Sequence, residues 1–166
     1  MLQRSAILLL TLFSCLPGFA QFDEQLRKPN EEIVFACQLK NLKWVAVCRE
    51  KKGKYLVYRF GTKAKIEMQY PAVPDASSWQ KFTFNGYVRG GGKANAAMHF
   101  GYLKFFNNNV EYELYDLWSS EDDKEEWGVL VKQGKKTIDM KGNLKNKKGS
   151  LLELIYEDKI KKEDEN

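Results

Sequence analysis

From Ile33 onward the apolar residues of this chain recur at every second position, in short runs separated by turn-forming residues. That period is the signature of half-buried β-strands, and it excludes long amphipathic helices across the same stretch. Ile33, Phe35, Cys37 and Leu39 fall on one face of a first strand. Lys40-Asn41-Leu42-Lys43 reads as a turn and Trp44 to Arg49 as the returning strand. Tyr55–Phe60, Lys65–Tyr70, Trp79–Arg89, Ala97–Phe106 and Val110–Trp118 follow, punctuated by Gly53, Gly61, Pro71, Pro74, Gly90-Gly91-Gly92 and Asn107-Asn108-Asn109. A last hairpin joins Trp127–Lys132 to Lys136–Met140 across Gln133-Gly134-Lys135. Eight or nine short strands with a turn signal between each pair predict a mainly all-β fold, a small antiparallel barrel or sandwich. Ser150 followed by Glu153 resembles a capping box, with Leu151, Leu152, Leu154 and Ile155 behind it, so a short C-terminal helix is expected there.

The segment before the strands has another character. Arg4 supplies a positive start, Ser5 to Phe13 is an apolar run, and Pro17-Gly18 breaks it before Gly18-Phe19-Ala20. A bilayer span needs about 20 apolar residues, so residues 1–20 read as a secretory signal cut after Ala20. Leu12-Phe13-Ser14-Cys15 offers a second route, in which Cys15 carries lipid and the protein is membrane-anchored. The expected organisation is therefore a signal over 1–20, a loose arm over 21–32, one β domain over 33–156 and a charged, frayed tail over 157–166. The destination is the periplasm or the exterior.

Cysteine usage fits that destination. Cleavage removes Cys15 and leaves Cys37 and Cys48, an even pair in an oxidising compartment. With a two-residue loop at Leu42-Lys43, Cys37 would sit opposite Cys48 and a disulfide would staple the hairpin. Two cysteines without partner histidines do not complete a metal site.

Cys37, Asn41-Leu42-Lys43, Cys48-Arg49, Tyr55-Leu56-Val57-Tyr58-Arg59-Phe60-Gly61 and Ile66–Pro71 together resemble a group of small exported proteins of Gram-negative bacteria. The resemblance implies location and fold class, because that group has no assigned activity. It would place a glycine where Leu42 stands. A more distant resemblance, through Tyr115-Asp116-Leu117-Trp118-Ser119-Ser120, is to periplasmic lysozyme inhibitors. Those place a serine and a lysine in the enzyme's cleft. The Lys-Gly of their segment does not follow Trp118.

Few residues suggest catalysis. His99 is the single histidine, and no nucleophile motif accompanies it. Glu111 and Glu113 share a strand face, which is not the facing pair that glycoside hydrolysis uses. Arg89-Gly90-Gly91-Gly92-Lys93 lacks the glycine and the Ser/Thr of a phosphate loop. No cofactor motif is present, and none is expected to be needed. The lysines at 135, 136, 141, 145, 147 and 148 make the C-terminal third basic. In an exported protein they indicate a solvated face or contact with an anionic cell surface rather than nucleic acid.

The surplus lies in aromatic residues: four Trp, eight Tyr and ten Phe. Trp118 and Trp127 flank Ser119, Ser120, Glu121, Asp122 and Asp123. Aromatic side chains beside charges suit a binding surface. The expected site is this loop, and the expected function is non-enzymatic binding of a protein partner, such as a cell-wall hydrolase or a toxin. Enzymatic use of His99 and carriage of a small ligand or lipid in a barrel interior are the alternatives.

Overall fold

The computed structural model describes residues 26–163. The signal, its cleavage site and Cys15 lie outside the described residues. Nine strands follow one another as a meander: β1 (Glu31–Leu39), β2 (Trp44–Glu50), β3 (Leu56–Thr62), β4 (Lys65–Tyr70), β5 (Thr83–Arg89), β6 (Met98–Asn107), β7 (Val110–Ser119), β8 (Lys124–Gln133) and β9 (Lys136–Gly149). A two-residue β10 (Lys161–Lys162) lies parallel to β5. All ten belong to one sheet in the order β10-β5-β6-β7-β8-β9-β1-β2-β3-β4, and every pairing except that of β10 is antiparallel.

The sheet curls into a half-barrel. Among the described residues no ladder joins β4 to β5, and side chains bridge that gap instead. Tyr70 of β4 stacks on Phe105 of β6 at 4.5 Å, and Phe82 meets both rings edge-on at 5.5 Å. Tyr58 of β3 reaches Phe105 at 4.9 Å. Offset and edge-to-face pairs of this kind add about 0.5–1.5 kcal/mol each beyond area burial. The concave face holds the main core, with Phe35, Val47, Leu56, Phe84, Leu103, Leu114 and Val129 fully or almost fully buried.

The expected C-terminal helix is one 3-10 turn, Leu151–Leu154, with the Ser150 hydroxyl accepting from Leu152 N. It lies on the concave face and buries Leu151 and Leu154. Space for it comes from Gly101, where a methyl group would stand 3.0 Å from Leu151 Cβ. A second 3-10 helix, Ala76–Lys81, takes Trp79 out of the strand expected there. Asp75 caps it, and Trp79 is buried with its indole N–H donating to Gly53 O at 3.2 Å.

Both flanks are better anchored than their polar composition implies. The arm expected over 21–32 is docked from Leu26 on: Leu26 is fully buried, and β1 begins at Glu31. Leu26, Ala36, Ala46, Cys48, Tyr55 and Val57 form a second cluster, on the outer face of β1–β3. Beside it Arg59 grips Glu31 bidentately at 2.6 and 2.7 Å, with both side chains wholly buried. The tail is not frayed through Glu163 either. Ile160 is buried, Lys161-Lys162 pair with Thr83-Phe84, and Glu163 N donates to Phe84 O.

The Cys37–Cys48 disulfide is not formed. The hairpin loop has three residues, Lys40, Asn41 and Leu42, because Leu39 N donates to Lys43 O and Gln38 stands opposite Trp44. Cys37 therefore faces Val45 across the ladder. A bulge between Ile33 and Phe35 then brings Ile33 opposite Cys48. The two sulfurs belong to clusters on opposite faces of the sheet. A register change by an odd number of residues reverses the face of every side chain on the strand.

Candidate functional site

The β7–β8 hairpin ends in a tight turn, not in the long loop expected over Ser119–Glu126. Ser119 pairs with Lys124, and only Ser120–Asp123 lie between the strands. Asp123 holds a left-handed φ of 50°, which an aspartate tolerates better than most residues. Ser119 Oγ accepts from Glu121 N, and Ser120 N donates to Ala97 O at 2.9 Å. That last bond ties the turn to the glycine-rich β5–β6 connection, which Arg89 braces by donating to Ala96 O. Glu121, Asp122 and Asp123 project into solvent. Lys124 lies 2.9 Å from Glu126 and holds its carboxyl below the usual carboxylate range.

The two tryptophans expected as shoulders part company. Trp118 is half-buried and stacks on His99 at 5.7 Å, with the rings inclined by 29°. Trp127 is a core residue, opposite Asp116 on the ladder. The Lys147 ammonium lies over its ring at 4.7 Å. Asp116 is fully buried and accepts from Ser150 Oγ at 2.7 Å and Leu151 N at 3.1 Å, while Lys147 pairs with it at 2.6 Å. This cluster fastens the 3-10 turn to β7, so Trp127 belongs to the scaffold under the hairpin and not to its tip.

The aromatic shoulders of the tip come from other strands. On β6, Leu103 and Phe105 face the core, so Phe100 and Tyr102 face outward. Tyr87 of β5 stands opposite Phe100 on the ladder. The three rings form a row, Tyr87 to Phe100 at 5.8 Å and Phe100 to Tyr102 at 5.6 Å. Tyr87 is 40% exposed, and the other two are half-buried. Beside the row an open pocket of about 270 Å³ is lined by Phe100, Tyr102, Leu117, Asp122, Lys124 and Glu126, among others. Period-two counting puts Phe100 and Tyr102 on one face of β6 and Leu103 and Phe105 on the other. The row was hidden because no signal in the sequence tells which face of β6 is the outer one.

His99 stacks on Trp118. Its Nε2 is buried and bonds no group among the described residues. Glu111 and Glu113 face Lys132 at 3.0 and 3.3 Å, as parts of a surface ion network that also includes Lys104 and Glu163. Among the described residues no group of three His, Cys, Asp or Glu side chains could hold a metal. The hairpin tip and the strands beside it present aromatic surface and negative charge to solvent. Comparison with protein-family models, with curated proteins and with solved structures found no match for this chain.

Proposed function

We propose that this is an exported, non-enzymatic binding protein, and that it acts through the tip of the β7–β8 hairpin together with the outer aromatic row. The export part rests on residues 1–20, with their charged start, short apolar run and small residues before Gln21. The binding part rests on one observation: Tyr87, Phe100 and Tyr102 form a partly exposed row beside a turn that presents Glu121, Asp122 and Asp123. Rigid aromatic side chains next to unpaired charge suit an interface centre with a polar rim. A protein partner with a basic cleft, such as a cell-wall hydrolase or a toxin, matches that charge. No cofactor is needed for such a role.

Titration of the purified protein against a panel of muramidases and amidases tests the inhibitor form of this reading. Inhibition of one enzyme, lost on Phe100→Ala, supports it. No inhibition across the panel sinks it. Enzymatic use of His99 is separable by His99→Ala, which would abolish a catalytic activity and leave inhibition nearly intact.

A further inference from the structure

A second surface, built from the β1–β2 loop and a bulge of β9, carries no part of that reading. On the ladder with β1, Leu39 pairs with Gly142 and Cys37 with Lys147, so the residues from Asn143 to Asn146 bulge outward. Leu144 on this bulge is 69% exposed, and Leu42 on the neighbouring loop is 70% exposed. The two loops are joined: Lys40 N donates to Lys141 O, Asn146 donates to Gln38, and Gln38 donates to Leu42 O. Two exposed leucines thus lie on segments that hydrogen bonds join. Single exposed apolar residues need no explanation, but two on hydrogen-bonded neighbouring segments, with lysines beside them, invite one.

An open pocket of about 560 Å³ adjoins the bulge, lined by Gln38, Trp44, Lys63, Lys145, Asn146, Lys147 and Lys148. No acidic side chain lines it. Lys147 turns its ammonium inward to Asp116, while Lys145 and Lys148 are exposed. Trp44 is half-buried there, an amphipathic side chain suited to a water–lipid boundary. Lysines around protruding leucines and a tryptophan combine the two contributions of peripheral membrane binding: attraction to anionic headgroups and shallow insertion of apolar groups.

We propose that this face docks on an anionic phospholipid surface, with Leu42 and Leu144 entering the headgroup layer and Lys145 and Lys148 meeting phosphate. This does not depend on lipid at Cys15 or on the hairpin-tip reading. The test is co-sedimentation of the full chain with vesicles of phosphatidylcholine alone or mixed with phosphatidylglycerol. The readout is the ratio between the two, which a merely apolar N-terminus leaves near unity. The expected result is a clear preference for the anionic vesicles that weakens as salt is raised. Each lysine near such a surface contributes roughly fivefold in affinity, so Lys145→Glu with Lys148→Glu should lower the preference by at least about 25-fold. Leu42→Asn with Leu144→Asn should weaken binding to the anionic vesicles at unchanged net charge. All four positions are exposed, and a thermal unfolding midpoint no lower than that of the wild type would verify that the variants fold. Equal binding to both vesicle types overturns the proposal, as does indifference to either pair of substitutions. Retention on a DNA oligonucleotide with none on anionic vesicles overturns it too.

Discussion

Cys37 and Cys48 lie on opposite faces of the β1–β2 hairpin, Cys37 across from Val45 and Cys48 across from Ile33. Burial pushes the Cys37 thiol up to about 12; the Asp116 carboxylate adds to the shift and Lys147 offsets part of it. At neutral pH it is a buried, protonated and unreactive group. Peptide mapping without reductant is expected to recover Cys37 and Cys48 on separate peptides, with Cys37 alkylated only after denaturation. A crosslinked peptide pair would contradict the pairing of Cys37 with Val45.

The Glu31–Arg59 pair lies wholly out of water, with Tyr55 and Lys28 N also donating to Glu31. Removing one partner of such a pair leaves a buried charge, at a typical cost of about 3–5 kcal/mol. Arg59→Met should therefore lower the denaturant midpoint strongly. Burial pushes the Glu31 carboxyl up, but the hydrogen bonds from Arg59 and Lys28 N outweigh it, leaving it below the ordinary 4.5. A depressed carboxylate contributes stability above its unfolded value and loses it as pH falls through the folded one. Stability should thus fall off below about pH 4.5, and Glu31→Gln should remove part of that dependence along with the overall stability.

Leu42 adopts a left-handed φ of 68° at the end of its loop. This is the position where the resemblance to small exported proteins implies a glycine. A left-handed non-glycine residue costs about 1–2 kcal/mol, against roughly 0.5–1 kcal/mol for the extra freedom of glycine in the unfolded chain. Leu42→Gly should stabilise the protein by about 0.5–1 kcal/mol in chemical denaturation. A loss of stability would mean that the exposed leucine side chain packs where the structure leaves it open.

Asp116 fastens the 3-10 turn Leu151–Leu154 to β7 and balances Lys147. Asp116→Ala should cost about 3 kcal/mol or more, by leaving Lys147 unbalanced and freeing the turn. Amide exchange should rise first at Leu151 and Leu152. Uniform loss of protection across the sheet, with no early exchange at these two amides, would contradict this role.

The strands were legible where alternation was strict. Eight of the elements read between Ile33 and Met140 recur as β1 to β8, and the ninth is the start of β9. Register was not legible, because it depended on Leu42, a residue with no propensity for the conformation it takes. The bulge at Val34 was equally invisible: period two puts Ile33 on the face of Phe35, and the ladder shift sends it to the other side. Trp127 looked like an exposed shoulder because charge surrounds it in sequence, yet Gly142 and Lys147 make its enclosure from the far end of β9. Half of the candidate site, the acidic turn, could be read from the chain. The other half, Tyr87, Phe100 and Tyr102, depends on which face the sheet turns inward.

The outer aromatic row and the acidic turn are proposed to bind a protein partner together. The decisive measurement is inhibition of a panel of cell-wall hydrolases by the wild type, by Tyr87→Ala with Phe100→Ala, and by Asp122→Lys with Asp123→Lys. Aromatic anchors at interface centres typically contribute about 2 kcal/mol or more each. The expected result is inhibition of at least one enzyme, weakened by roughly 30-fold or more in both variants while their folding is unchanged. Inhibition that survives both pairs of substitutions, or no inhibition by the wild type of any enzyme, would contradict it.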